Sequence, residues 1–375
     1  MKTRLLTSPT AVAQVTTDFF VNWPSAANNA PKAVVVLIGG GDLDMGFAQD
    51  PAQGPGVPLE SGGGNFVVRT AQIFAEAGYM TIAVNKPSDL PPSGTNCDTS
   101  PAACDEAADQ YRVSVNHAVD ILEILKHYNT RNLPVFLAGT SRGAISAVGA
   151  SLIASGISLS SPVTNNSNDP AQFYVGDPAV PNLQTSSVQR PSHVLWNTLD
   201  LCAVSPPSGS QSAATALGAS FDAVTGGVEV TASPTDPNDP SFLPASSIGP
   251  CQAFDYHGFF GIENTGVDAI TAWLDGRVSA FGKGAAPRAG FATVNTPSGT
   301  PQQTDLTTLT GNVAGLTYGL AYPTTTLGGT VTLSGTTVTY TPPAGASNQT
   351  DYYVYFVEDA VGRVGAAAVT VNIAP

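Results

Sequence analysis

The first 283 residues alternate between short apolar runs and longer amphipathic stretches. A continuous β-branched run at 33–38 predicts a strand that is buried on both faces. The spacing of apolar side chains predicts helices at 65–77 and 106–127, and Gly78 is a typical stop for the first of them. Alternation of this kind predicts an α/β fold, with a mostly parallel sheet and helices on both faces.

Further elements of this part continue the alternation. We predict strands at 79–84, 134–138, 157–159, 193–196 and 227–231, and helices at 143–154 and 267–278.

The pattern changes near 281–287, and no helical period follows. Thr, Gly and Val dominate the remainder, and a turn at Ser334 and Gly335 predicts a hairpin between two alternating runs. This tail is typical of a small antiparallel β-sandwich. The predicted division is an α/β domain at 1–283, a linker at 284–290 and a β-sandwich module at 291–375.

Residues 139–143 read Gly-Thr-Ser-Arg-Gly and match the G-x-S-x-G pattern. They follow a predicted strand directly and precede a predicted helix directly, which is the context that this nucleophile turn requires. We therefore predict Ser141 as a nucleophile, presented at the carboxyl end of the sheet above a helix N-terminus.

The histidines of the chain are His117, His127, His193 and His257. The first two fall within a predicted helix, and His193 opens a predicted strand. His257 lies in a loop between the last predicted strand and the last predicted helix, which suits a general base. We therefore predict His257 as the base.

In a G-x-S-x-G hydrolase the acid lies between the serine and the histidine in the chain. Asp200 follows the end of a predicted strand and is our prediction for this role. Asp255 is the rival, but it is so close to His257 in the chain that alignment of the two side chains would be awkward. Three other aspartates fall in a segment that we predict as helix and then loop: Asp222, Asp236 and Asp239.

Acyl transfer also requires donors for a developing oxyanion. We predict one at the backbone N–H of Arg142, the residue after the nucleophile. The second is expected from Gly40 or Gly41, in the glycine run after the first buried strand. A phosphate loop is excluded there, because no Gly-Lys-Ser/Thr follows.

The chain has four cysteines, which permit three sets of disulfide pairings: Cys97, Cys104, Cys202 and Cys251. The cysteines do not have the spacing of a zinc site. We favour bonds between Cys97 and Cys104 and between Cys202 and Cys251. The second bond would tie the predicted acid and base loops together. Unpaired thiols in a reducing cytosol are the alternative.

Charged residues make up only 11% of the chain, and the net charge is −14. The negative charge argues against nucleic acid and against an anionic membrane surface. No apolar run is long enough for a membrane span. The first six residues resemble the opening of a signal peptide without its apolar core, so we expect that a leader has been removed or was never there.

Several segments together resemble a group of bacterial, often exported, α/β hydrolases. They are the elbow at 139–143, Asp-Leu-Cys at 200–202, Cys251, and His-Gly-Phe-Phe-Gly-Ile-Glu at 257–263. The resemblance implies hydrolysis of carboxylic esters without a cofactor or a metal. The oxyanion loop differs, since it reads Gly-Gly-Gly-Asp where hormone-sensitive-lipase-like esterases have His-Gly-Gly-Gly.

The tail is similar to bacterial immunoglobulin-like or cadherin-like repeats. The matching segments are Gly-Asn-Val at 311–313, Gly-Thr-Val-Thr-Leu at 329–333, Tyr-Thr-Pro at 340–342, and the run 351–362. The acidic cluster that often follows Gly-Asn-Val is absent, so we do not expect calcium. Five tyrosines are candidates for binding a polymer: Tyr318, Tyr322, Tyr352, Tyr353 and Tyr355.

Together these features predict a secreted or periplasmic serine esterase, expected to be a monomer, whose ester substrate is a small molecule or a polymer such as a polyester. Two alternatives stay open. The chain could be a binding or adhesion protein with an inactive hydrolase domain, or an amidase or peptidase that uses the same triad.

Overall fold

The computed structural model describes residues 1–8, 11–24, 30–41, 43–45, 65–90, 108–164, 190–232 and 249–375. The large sheet contains β1 (Lys2–Ser8), β2 (Ala11–Asn22), β3 (Val34–Ile38), β4 (Met80–Pro87), β5 (Val135–Thr140), β6 (Gly156–Ser160), β7 (Ser192–Asn197) and β8 (Ser220–Val224). The helices are α1 (Phe66–Arg69), α2 (Ala71–Glu76), α3 (Val115–Tyr128), α4 (Gly143–Gly149), α5 (Pro207–Leu217), α6 (Glu263–Phe281) and α7 (Leu306–Leu309).

The eight strands lie in the order β1-β2-β4-β3-β5-β6-β7-β8. The six strands from β3 to β8 are parallel, and β2 pairs antiparallel with both β4 and β1. The predicted mostly parallel sheet is therefore confirmed. Because the parallel strands all end at one edge, loops that follow β3, β5 and β7 meet there.

Side chains of β3 alternate between the two faces of the sheet, as the period of a strand requires. Val34, Val36 and Ile38 pack in one cluster with residues of α3 and α4. Val35 and Leu37 pack in the other, with residues of α1, α2 and α6. Both faces are thus covered by helices, which explains the uninterrupted apolar run.

Some predicted elements differ from the structure, among them the long helix and the last strand of the sheet. The helix predicted over 106–127 is interrupted at 113–114, where Ser114 accepts a hydrogen bond from the His117 backbone and starts α3. The last strand of the sheet is β8, not 227–231, which has no strand structure. Residues 227–231 lie outside the sheet, because β8 already occupies the position beside β7.

The first residues belong to the fold. Lys2–Ser8 forms the edge strand β1, and the buried guanidinium of Arg4 pairs with the buried carboxylate of Asp120 at 2.7 Å. The segment that resembles the opening of a signal peptide is therefore structural here.

The tail forms a three-stranded sheet, β10-β13-β12, and a four-stranded sheet, β11-β14-β15-β9. Their strands are β9 (Ala292–Pro297), β10 (Gln302–Asp305), β11 (Thr317–Leu320), β12 (Thr330–Ser334), β13 (Thr337–Thr341), β14 (Gln349–Glu358) and β15 (Val364–Ala374). The hairpin predicted at Ser334 and Gly335 is confirmed as β12 and β13. Buried side chains of both sheets share one core. The prediction of a purely antiparallel tail is wrong at one edge, where β9 pairs parallel with β15. The linker at 284–290 stays a prediction.

The four-stranded sheet of the tail packs its second face on the α/β part. Val354 and Ala368 lie in the same apolar cluster as Leu122 of α3. The Tyr352 hydroxyl accepts a hydrogen bond from the Leu5 backbone N–H at 3.0 Å. The two parts are therefore joined by a continuous core.

Most of the tail tyrosines predicted as candidates for binding a polymer are buried. Tyr352, Tyr353 and Tyr355 are buried, and Tyr318 and Tyr322 are half-buried. Three of the five candidates for binding a polymer therefore pack in the core of the protein. Among the described residues, the helices are all too short or too polar to cross a membrane.

Candidate active site

Ser141 lies at the carboxyl end of β5, directly before α4. Its backbone is in the left-handed region, with φ of 55°, which is rare for a residue other than glycine. The strained conformation is held on both sides, since the Ser141 N–H donates to Ser160 and its carbonyl accepts from Ala144. The side chain is only partly buried, so its hydroxyl is presented at the edge where the loops meet.

The glycines that flank Ser141 allow strand and helix to touch. A Cβ on Gly139 would lie 2.1 Å from the carbonyl oxygen of Gly143. A Cβ on Gly143 would lie 2.1 Å from the carbonyl oxygen of Ile38 on β3. Neither position can accept a side chain without a backbone shift, so the pattern of the elbow follows from close backbone approach.

Asp200 and His257 form a buried pair. Asp200 follows the end of β7, and His257 lies in a single 3₁₀ turn, Tyr256–Gly258. Oδ2 of Asp200 is 2.9 Å from Nδ1 of His257, and Oδ1 of Asp200 accepts from the Cys202 backbone N–H. Because Nδ1 of His257 contacts the carboxylate, Nε2 is the ring nitrogen that can take part in another hydrogen bond. It is buried and has no hydrogen-bond partner within the described part of the chain.

Arg69 on α1 binds the loop that carries His257, which we call the histidine loop (251–258). Its guanidinium donates to the carbonyl oxygens of Ala253 and Gly258, on either side of His257, and pairs with Glu263 at 3.0 Å. Asp255 starts the 3₁₀ turn by accepting from the Tyr256 N–H. The backbone on both sides of His257 is therefore held in place, and Asp200 holds the imidazole itself.

The predicted disulfide between Cys202 and Cys251 is confirmed, and it joins the acid loop to the histidine loop. Asp200, Cys202 and His257 bring their ligand atoms within 4.8 Å of one another. Because the Cys202 sulfur is already bonded to Cys251, it cannot supply a thiolate, and we assign no metal to this group. Cys97 and Cys104 lie outside the described residues.

The glycine run after β3 lies against the elbow. A Cβ on Gly40 would be 3.0 Å from Cβ of Ser141 and 3.2 Å from Nδ2 of Asn65. Gly41 takes φ of 58°, which turns the chain away from β3. The structure therefore places Gly40 beside Ser141. Arg142 follows Ser141 in helical conformation at the start of α4, so its backbone N–H is at the helix N-terminus.

The rival residues have other partners. His193 is the second residue of β7, far from the strand's carboxyl end, and it contacts Ser158 through Nδ1 and Asp222 through Nε2. Asp222 is on β8, which corrects the prediction of a helix there, whereas Asp236 and Asp239 lie outside the described residues. Asp255 caps the histidine turn, and burial raises the pKa of its carboxyl group.

Sequence reasoning missed Arg69, Arg112 and Asn65, which contact the loops of the site. Asn65 precedes α1 but makes no capping hydrogen bond, and its side chain lies against the glycine run instead. An asparagine before a helix is ordinarily read as a cap, so the sequence carries no signal for this contact.

No protein-family model matches the chain, and no curated protein matches it. Several solved structures are similar. Esterase PE8 is 15% identical with a TM-score of 0.38, over 70% of this chain and 98% of its own. The carboxylesterase Cest-2923 from Lactobacillus plantarum WCFS1 is 14% identical with a TM-score of 0.32, over 65% of this chain and 90% of its own. Acetyl xylan esterase 1 from Thermoanaerobacterium sp. is 11% identical with a TM-score of 0.34, over 56% of this chain and 72% of its own. At these scores the likeness decides neither fold nor activity.

Proposed function

We propose that the chain is a serine hydrolase that cleaves carboxylic esters through Ser141, His257 and Asp200. The observation that carries the proposal is the buried Asp200–His257 pair at the sheet edge that also presents Ser141. Among the described residues, Nε2 of this histidine has no hydrogen-bond partner. A histidine fixed by a carboxylate through Nδ1 is prepared to accept a proton at Nε2.

In the first half-reaction His257 takes the proton of the Ser141 hydroxyl at Nε2, and the serine oxygen attacks the ester carbonyl. The negative charge on the carbonyl oxygen is met by the backbone N–H groups of Arg142 and of Gly40 or Gly41. The imidazolium, stabilised by Asp200, then gives its proton to the leaving alcohol. An acyl-enzyme on Ser141 and a free alcohol result.

In the second half-reaction His257 takes a proton from water, and the hydroxide oxygen attacks the acyl carbon. The tetrahedral intermediate collapses, the proton returns to Ser141, and a carboxylic acid leaves. No cofactor is needed, because both steps are proton transfers and acyl transfers.

Replacement of the nucleophile tests the proposal. Ser141→Ala should lower kcat on a p-nitrophenyl ester by at least about a thousandfold, while Ser208→Ala, an exposed serine at the start of α5, should keep the wild-type rate. Wild-type turnover by Ser141→Ala would refute the assignment. A matched p-nitroanilide tests the amidase alternative, and faster cleavage of the amide than of the ester would favour it.

We further propose export to an oxidising compartment. The disulfide between Cys202 and Cys251 supports this, because such bonds persist mainly outside the cytosol. A polymeric substrate has little support, since three of the five tail tyrosines are in a core. We therefore expect small esters to be turned over without the tail acting as an anchor on an insoluble polymer.

A further inference from the structure

Arg112 is a completely buried arginine that binds the glycine run. It ends a helical segment before α3. One arm of its guanidinium donates to the Gly39 carbonyl at 3.1 Å and to the Ser146 hydroxyl at 3.0 Å. The other arm donates to the carbonyls of Gly40 at 3.3 Å and Gly41 at 2.9 Å. Three successive carbonyl groups therefore converge on one side chain.

This convergence fixes the direction of the N–H groups. In a trans peptide the carbonyl oxygen and the following N–H point in opposite directions. Since the oxygens of Gly39 and Gly40 point at Arg112, the N–H groups of Gly40 and Gly41 point away from it. Gly40 lies directly beside Ser141, because a Cβ on Gly40 would be 3.0 Å from Cβ of Ser141. The arginine thus sets the peptide planes of the loop beside the nucleophile.

Asp109 links this arginine to the elbow. One of its carboxylate oxygens is 3.5 Å from Nε of Arg112, and the other is 2.8 Å from a guanidinium nitrogen of Arg142. A buried guanidinium without a carboxylate would be strongly destabilising, so Asp109 makes the burial of Arg112 possible. The same carboxylate holds Arg142, whose N–H is the other predicted oxyanion donor.

We infer that Arg112 is a positioning residue for the oxyanion hole, which it builds by holding the carbonyl side of residues 39–41. It does not touch the substrate. The inference rests on the proposed function and adds a residue to it. A glycine run is conformationally free by itself, and preorganised donors are effective because they need no reorganisation during the reaction.

A lysine cannot replace this arginine. The planar guanidinium reaches three carbonyls and a hydroxyl with donors on two arms, whereas an ammonium is a single point charge at the end of a flexible stem. Arg112→Lys keeps the positive charge beside Asp109 but loses the fork. The variant therefore separates charge from geometry.

The test compares Arg112→Lys with Arg4→Lys on a p-nitrophenyl ester. Arg4 is also a buried arginine with a carboxylate partner, Asp120, but it lies on the edge strand β1. We expect Arg112→Lys to lower kcat about a hundredfold with KM within about twofold, as for loss of an oxyanion donor. Arg4→Lys should lower the melting temperature and keep kcat.

Three results would overturn the inference: wild-type kcat in Arg112→Lys, a rise in KM without a fall in kcat, or an equal fall in kcat for Arg4→Lys. If Arg112→Lys does not fold, Ser146→Ala removes one acceptor of the same guanidinium. It should lower kcat several-fold at unchanged KM, and a wild-type kcat there would overturn the inference instead. Loss of turnover in Ser141→Ala under the same conditions shows that the proposed function stands even where this inference fails.

Discussion

Oδ2 of Asp200 lies 2.9 Å from Nδ1 of His257, although 57 positions separate the two residues in the chain. Their loops come together because β7 ends beside the histidine turn, and the disulfide between Cys202 and Cys251 then links them. The sheet holds a second histidine–aspartate contact, His193 with Asp222, at 3.1 Å. That second pair makes it possible to test the first against a control of the same chemistry.

Asp200→Asn should leave the fold intact and lower kcat on a p-nitrophenyl ester by about a thousandfold or more, because the amide cannot stabilise the imidazolium and favours the wrong tautomer. Asp222→Asn changes the same atoms at the control pair and should keep the wild-type kcat. Steady-state kinetics of both variants provide the measurement. Equal rates for the two variants would show that Asp200 has no special role.

The disulfide should contribute to stability. Its cysteines are 49 positions apart, and closure of a loop of that length is worth up to about 4 kcal/mol. We expect a double variant, Cys202→Ala with Cys251→Ala, to melt at a lower temperature and to have a lower kcat, because the acid and base loops can then separate. Calorimetry and ester kinetics would measure both effects. An unchanged melting temperature would contradict this account of the bond.

The elbow should not tolerate a methyl group at its helix start. Gly143→Ala places a Cβ 2.1 Å from the Ile38 carbonyl oxygen, so we expect loss of soluble folded protein or a large fall in melting temperature. Gly276 lies inside α6, and no atom of the described residues lies within 4 Å of the Cβ position there. Gly276→Ala should therefore stabilise the protein by about 0.5–1 kcal/mol. A Gly143→Ala variant as stable as the wild type would contradict the close packing of β3 against α4.

Stability should fall in mild acid because of His117. The side chain is fully buried, and desolvation with the nearby charges of Arg112 and Arg4 lowers its pKa to about 3. Between about pH 6.5 and pH 3 the unfolded chain binds a proton at this residue and the folded chain does not, so stability decreases as pH falls through that window.

His117→Leu should flatten this part of the curve of melting temperature against pH. His127 is exposed on the same helix, and His127→Gln should leave the curve as it is in the wild type. If His117→Leu shows the same decline as the wild type between pH 6.5 and pH 4, the decline comes from other groups.

Local patterns in the sequence predict much of this architecture and part of the site. The two glycines that flank Ser141, between a strand and a helix, predict it as a nucleophile. The structure shows that both glycines are needed for the close backbone contacts of β5 with α4 and of α4 with β3. Among the four histidines in the chain, the position of His257 in a loop before the last predicted helix favours it as the base, and this role stays a prediction. The contact with Asp200 then follows from the parallel sheet, whose strand ends share one edge.

Other features depend on contacts that no local pattern carries. Arg112 stands in a predicted amphipathic helix, where an arginine is expected to be exposed, yet it is buried against carbonyls about 70 positions earlier in the chain. The last strand, β8, is exposed along most of its length and lacks a buried run, so its pairing with β7 decides its structure. The continuous core between α3 and the tail likewise depends on how the two parts meet.

The most direct test of the central claim is to identify the residue that a fluorophosphonate probe modifies, by mass spectrometry of peptides from the labelled wild-type protein. We predict one adduct, on the Ser141 hydroxyl, with loss of esterase activity in proportion to labelling, and little labelling of His257→Ala. An adduct on a different residue, or full activity after complete labelling of Ser141, would contradict the account.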